Sequence, residues 1–221
     1  MKENNPSYWK ERGSSAVFTS PMPSNELLKR LSPKSKILDF GCGYGRIEEF
    51  LISKKFEYIV GIDPSVVLIE RAKKNLIFKK KKNILFRVGG MKGMKLFGVQ
   101  KNKKFDAVIM CGVIEYIYDS KQRTEMIRCI ADKIVRGGLF YLETFLRDLT
   151  HKKQYDTARN DGFEYGTLVL NNSELILYHD TIIGIQNLFK PYFKKVYGKR
   201  KSFLTWTGKK QLGYEILFEK R

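Results

Sequence analysis

The chain has 221 residues, of which 43% are apolar and 29% charged; this suits a domain with a buried core and excludes a disordered or fibrous protein. Its formal charge of +19 points to an anionic partner, and the excess lies in two blocks: Arg71 to Phe105 holds 13 basic and no acidic residues, and Thr181 to Tyr214 holds 8 and none. Cys42, Cys111 and Cys129 have no paired spacing, no leader is visible, and no apolar run nears the ~18 residues of a span; a cytoplasmic chain without disulfide framework or metal site is expected.

Residues 1–34 read as an aromatic-tipped arm with Tyr8, Trp9 and Arg12, then a short helix from about Ser24 to Leu31 that Ser32-Pro33 stops. Strand and helix then alternate. Ile37 to Phe40 is strand one, and Arg46 to about Lys54 a helix with Ile47, Phe50 and Leu51 on one face. Tyr58 to Ile62 is strand two, and Pro64 sits just inside the next helix start. Ile84 to Val88 is strand three. Phe105 to Met110 is strand four, an apolar run suited to burial on both faces. Ser120 is read as the cap of a helix that runs to Gly137-Gly138, and Leu139 to Phe145 is strand five. Repeated strand–helix units predict a parallel sheet with helices on both faces.

The last third differs. Phe163 to Leu170 and Leu175 to Tyr178 flank Asn171-Asn172-Ser173-Glu174 as a hairpin. A helix follows from about Asp180 to Leu188, although Ile182 to Ile185 reads equally as strand. Phe193 to Tyr197 and Tyr214 to Phe218 are expected to close the sheet edge as an antiparallel pair. The chain divides into an arm or lid (1–34), an α/β core (35–145), a substrate-cap insertion (146–180) and a closing helix with strands (181–221).

Chemistry concentrates in Asp39-Phe40-Gly41-Cys42-Gly43-Tyr44-Gly45. Gly41 and Gly43 permit a tight turn and close ligand approach, and the helix after Gly45 aims its N-terminus at the ligand. Asp63, 18 residues past Gly45 at the end of strand two, is placed to accept both hydroxyls of a ribose. The third glycine falls one residue early for a dinucleotide fingerprint.

The turn, with an acid two residues before its first glycine, resembles motif I of the class I S-adenosylmethionine-dependent methyltransferases. The resemblance runs in register from about Lys36 to Phe145, through Gly61-Ile62-Asp63-Pro64-Ser65, the Phe105 to Tyr116 segment and Val135 to Phe140. It implies a doubly wound α/β fold: a seven-stranded, mostly parallel sheet in the order 3-2-1-4-5-7-6 with an antiparallel last strand. It also implies a Rossmann-like core that binds S-adenosylmethionine and yields S-adenosylhomocysteine. Carried over by position, Gly41, Cys42 and Gly43, with Tyr44 and Gly45, would line the methionine moiety, and Asp39 would organise the turn and its water or amino group. Asp63 and Pro64 would hold the ribose end, Cys111 and Gly112 would face the transferred methyl group, and Arg12 would pair the cofactor carboxylate. The acid that often follows strand three in the family is missing from Val88-Gly89-Gly90-Met91-Lys92, so adenine would rest on the backbone at Gly90 and Met91 and on apolar contact with Met91 and Val66.

Methyl transfer asks the protein for alignment and a desolvated pocket, with a base only for a protonated acceptor. Candidates for that part are Glu115 and Tyr116 after strand four, and His179 before the late helix; His151 is weaker. No Asn/Asp-Pro-Pro-Tyr/Phe motif follows strand four, which argues against the amino-methylating enzymes of DNA. The aromatic cap favours a small-molecule acceptor, anionic or membrane-derived. Because the basic blocks are expected at opposite edges of the sheet, a continuous nucleic-acid groove is not favoured. An RNA methyltransferase and a non-catalytic cofactor-binding partner subunit are the alternatives.

Overall fold

The computed structural model describes residues 9, 13–19, 21–79, 81–92, 95–170, 175–204 and 210–221. Ser24 caps α1 (Asn25–Leu28), accepting the Glu26 N–H. The apolar run of β1 (Lys36–Phe40) leads through the glycine turn to α2 (Arg46–Ser53), which Gly45 opens. β2 (Tyr58–Asp63) precedes α3 (Val66–Lys74), capped by Ser65, then the single turn α4 (Leu76–Lys79) and β3 (Ile84–Val88). A small hairpin of β4 (Gly90–Lys92) and β5 (Lys95–Phe97) follows, too short to register as a sequence pattern. β6 (Phe105–Cys111) runs into a 3-10 turn at Ile114–Tyr116, then α5 (Ser120–Ala131) and β7 (Ile134–Phe145).

Two boundaries differ from expectation here. Asp119, not Ser120, caps α5 by accepting the Gln122 N–H at 2.8 Å. The helix stops at Ala131 rather than at Gly137-Gly138, because Ile134 already pairs with Phe105, and the ladder bulges before Leu139 meets Ala107.

The insertion holds a 3-10 turn at Leu149–His151, α6 (Lys152–Asn160), and the hairpin β8 (Thr167–Leu170) with β9 (Leu175–Tyr178). Its expected turn, 171–174, lies outside the described residues. Thr181 caps α7 (Ile182–Phe189) through the Gly184 N–H, so Ile182 to Ile185 is helix. β10 (Phe193–Leu204) and β11 (Lys210–Lys220) close the edge and are longer than expected.

The main sheet has the order β3-β2-β1-β6-β7-β11-β10, parallel except for β11, which runs antiparallel to both neighbours. This is the doubly wound order expected from the resemblance. Alternating residues feed two apolar layers. Leu38, Phe40, Val108 and Phe140 face α5 and α7, while Ile37, Ile59, Ile109 and Tyr141 face α1, α2 and α3. All carboxyl ends of the parallel strands therefore open at one end of the sheet. No helix among the described residues is long and apolar enough to cross a membrane.

Candidate functional site

The turn after β1 is pinned to the end of β2. Gly41 and Cys42 both donate their N–H to Ile62 O, at 2.8 and 3.0 Å. The Asp63 carboxylate then clasps two segments, with Oδ2 accepting from Gly43 N–H at 3.0 Å and Oδ1 from Ser65 N–H at 2.8 Å. Gly43 has φ +56°, a left-handed backbone that glycine adopts without strain. Asp63 is buried, and this lifts its carboxyl to about 6. Each oxygen accepts one protein hydrogen bond and keeps a second lone pair.

Asp39 lies beneath this turn, fully buried, against Glu48 from the first turn of α2. Burial raises both carboxyls, Asp39 to about 7, so the pair retains protons near neutrality. Gly61 makes room for them: a Cβ there would sit 2.2 Å from Glu48 Oε1 and 2.9 Å from Cys42 Sγ. Burial also raises the Cys42 and Cys111 thiols, which are therefore neutral side chains rather than nucleophiles. Gly112 donates to Glu143 O at 3.0 Å, tying the end of β6 to β7.

The arm covers the turn. Phe18 lies over Gly43, where a Cβ would meet its ring at 2.4 Å, and stacks on Tyr44 at 5.2 Å between centroids. Trp9 meets both Phe18 and Tyr116 edge-on, at 5.5 and 5.8 Å. Arg71 holds the arm by donating to Ala16 O at 2.6 Å while its guanidinium lies 3.9 Å from the Tyr44 ring centre. Nothing local in the sequence marks Phe18 or Arg71 for these contacts. Tyr8 and Arg12, the other lid candidates, lie outside the described residues. A Cβ added at Gly90 would meet Pro64 at 3.7 Å, and Met91 packs on the apolar layer beneath.

Beyond β6, Glu115 is almost fully buried. Thr144 donates to its Oε2 at 3.1 Å, and Oε1 has no protein partner among the described residues. Burial raises this carboxyl to about 7. Arg123, on α5, binds the loop and insertion together: it donates to Ile117 O and Tyr118 O, pairs with Glu164 at 2.7 Å, and stacks 3.7 Å from the Tyr178 ring centre. His179 belongs to a separate cluster between the insertion and β11. Its Nδ1 lies 2.9 Å from Tyr155 Oη and 3.1 Å from Gln211 Nε2, and burial pushes it down to about 3. His151 sits beside it, with its Nδ1 3.2 Å from Asp148. The structure thus joins Asp39, the glycines, Asp63 and Cys111 around one turn, brings Trp9 to Tyr116, and sets His179 among its own partners. On the same sheet face as Asp39, Tyr141 donates to Glu143 at 2.7 Å, and Lys201 pairs with Glu143 and Glu215.

A glycine turn closing on an acid at the second strand, at the switch point of a 3-2-1-4-5-7-6 sheet, defines the class I methyltransferase architecture. Residues 21–190 match a family described as a methyltransferase domain, and the chain belongs to that family of S-adenosylmethionine-dependent methyltransferases. The fold is similar to a methyltransferase of Methanosarcina mazei, 24% identical with TM-score 0.79 over 90% of this chain and 99% of that one. It is also similar to the magnesium protoporphyrin IX methyltransferase of Synechocystis with bound S-adenosylhomocysteine, 16% identical with TM-score 0.59 over 86% and 75% of the two chains. In sequence it is 30% identical over 125 residues to a tRNA U34 carboxymethyltransferase of Psychromonas ingrahamii, covering 55% of this chain and 36% of that relative's length. The cofactor of the family is S-adenosylmethionine.

Proposed function

We propose that the chain transfers a methyl group from S-adenosylmethionine to a small-molecule acceptor enclosed between the 3-10 turn after β6 and the insertion. The chemistry the cofactor supplies when bound is an electrophilic methyl group on a sulfonium. What supports its fit is the pattern of spare acceptors: Asp63 keeps lone pairs for ribose hydroxyls, and the buried Asp39–Glu48 pair offers carboxyl oxygens beside the turn. Gly41, Cys42, Gly43, Tyr44 and Gly45 would line the methionine end. Pro64, Gly90 and Met91 would line the adenosine end, and Cys111 and Gly112 the methyl group. Phe18 and Trp9 exclude water from above.

Glu115 carries the acceptor reading. One oxygen is fixed by Thr144, the other is buried without a protein partner, and the carboxyl titrates near neutrality. At Oε1 it takes the proton of a hydroxyl or ammonium acceptor. Tyr116 and His179 have positioning parts: Tyr116 receives Trp9 of the arm, and His179 anchors the insertion to β11 through Gln211. β9 packing on the 3-10 turn supports an enclosed acceptor rather than an open groove.

The test pairs two measurements. Titration with S-adenosylhomocysteine by calorimetry should give saturable binding, and absence of heat overturns the cofactor assignment. Incubation of the protein with labelled S-adenosylmethionine and cell extract should place label in the low-mass fraction, abolished by Glu115→Ala. Label found only in macromolecules overturns the small-acceptor reading.

A further inference from the structure

The two basic blocks do reach opposite lateral edges of the sheet, β3 and β10. The end of the sheet away from the glycine turn joins them. Each parallel strand begins there, and cations stand at successive starts: Lys81 and Lys82 before β3, Lys54 and Lys55 before β2, Lys36 opening β1. The row continues with Lys103 and Lys104 before β6, Lys133 before β7, and Lys220 at the close of β11. Lys190 and Lys194 flank the start of β10. The acids at this end are Glu57, Asp132, Glu219 and Asp106, the last of which accepts the Lys36 N–H at 2.7 Å. Seven strands at ~4.8 Å spacing make this a row of about 29 Å.

Some of these cations have a local use. Lys104, Lys133 and Lys220 donate to carbonyls around the end of α5 and before β6, as cations at a helix C-terminus do. They crowd one another: burial first, and the Lys104 charge next, push both Lys133 and Lys220 down. Lys55, Lys81 and Lys82 have no ion pair with an acid among the described residues. With Asn83 and Glu57 they line a groove of about 480 Å³ over Phe56, between the end of α2 and the start of β3.

We infer that this end of the sheet is a docking face for the phosphate backbone of a nucleic acid. A linear polyanion matches a linear row of cations, and lysines contact phosphates as point charges without reading sequence. The concave groove favours a backbone over a planar bilayer. Tyr58 and Val135, 39% and 37% exposed, are isolated apolar side chains here and do not make the stripe that an interfacial membrane binder buries. The inference is independent of the acceptor proposed above: the face lies about 20 Å from the glycine turn, the length of β6.

The experiment is fluorescence anisotropy with a short fluorescein-labelled RNA duplex over a range of salt concentrations. The intact chain should bind with log affinity falling linearly in log salt. The triple variant Lys55→Gln, Lys81→Gln, Lys82→Gln should bind about tenfold more weakly or worse, with a slope shallower by about three. A reference triple at the other end, Lys121→Gln, Lys152→Gln, Lys153→Gln, removes the same charge and should stay within about twofold of the intact chain. The pair Lys101→Gln, Lys103→Gln, both in the turn before β6, provides a second reading should the first triple fold poorly, and should likewise weaken binding and flatten the salt slope, by about two. Equal losses in both triples, no RNA binding by the intact chain, or binding only to phosphatidylserine vesicles would each overturn the proposal.

Discussion

Replacing Asp63 by alanine separates two parts that one carboxylate plays. In the structure it accepts from Gly43 and Ser65, and each bond to a charged acceptor contributes about 1.5–3 kcal/mol. Even with both bonds in place, burial lifts the carboxyl from 3.8 to about 6, so the charged form stays disfavoured by on the order of 3 kcal/mol at about 1.4 kcal/mol per tenfold change in proton affinity. The bonds therefore bring little net stability, and Asp63→Ala should cost only about 1–2 kcal/mol, a fall in Tm of about 2–8 °C for a chain of this size. Cofactor affinity has no such offset. Losing charged bonds to two hydroxyls should weaken S-adenosylhomocysteine binding by about 10- to 100-fold, or about 1.4–2.8 kcal/mol. Calorimetry on the folded variant, checked by thermal melting, reads both quantities. A dissociation constant within about twofold of the intact chain refutes the ribose role, whatever the melting shift.

Two matched glycines test the turn. Gly43→Ala meets Phe18 at 2.4 Å and a φ of +56°, whereas Gly137→Ala has φ +73° with nothing within 4 Å. Both should lose about 1–2 kcal/mol from the left-handed backbone, measured by urea unfolding, but only Gly43→Ala should also weaken S-adenosylhomocysteine binding. Equal binding by the two variants would show that the turn does not approach the cofactor. Arg123→Ala leaves the Ile117 and Tyr118 carbonyls and Glu164 without their cation. With Glu164 still partly solvated, the substitution should destabilise by about 2–3 kcal/mol and speed proteolytic cleavage between Lys152 and Tyr178; unchanged cleavage would show that Arg123 does not hold the insertion.

What the sequence revealed followed from burial. β1, β2 and β6 are legible because a strand covered on both faces is a largely apolar run, β3 because an edge strand still buries alternate residues, and the glycine turn because left-handed backbone selects glycine. α6 is not: of Lys152 to Asn160 only Tyr155 and Ala158 are buried, too few to show a period. The start of β7 is hidden because Gly137-Gly138 resembles a helix stop, yet here it lies in a bulged strand. Arg123, Glu48 and Glu143 carry no sequence signal of burial, because a charged residue in a helix or strand normally faces water. Their burial depends on partners from other elements: Glu164, Asp39 and Lys201. Trp9 marks the arm in the sequence, but Phe18, which covers Gly43, carries no local signature.

The buried carboxyls alter the meaning of the formal charge. Burial raises Asp39, Glu48, Asp63, Glu115 and Glu143 alike, so the folded chain holds protons that the unfolded chain releases between about pH 4 and pH 7. These groups therefore oppose folding increasingly as pH rises through that window, and folding within it takes up protons from the medium. A solution of the chain refolding near pH 6 in dilute buffer becomes more alkaline. Near neutrality the native chain migrates as a more cationic body than the +19 of its sequence, because part of its acidity is stored, uncharged, beneath the turn.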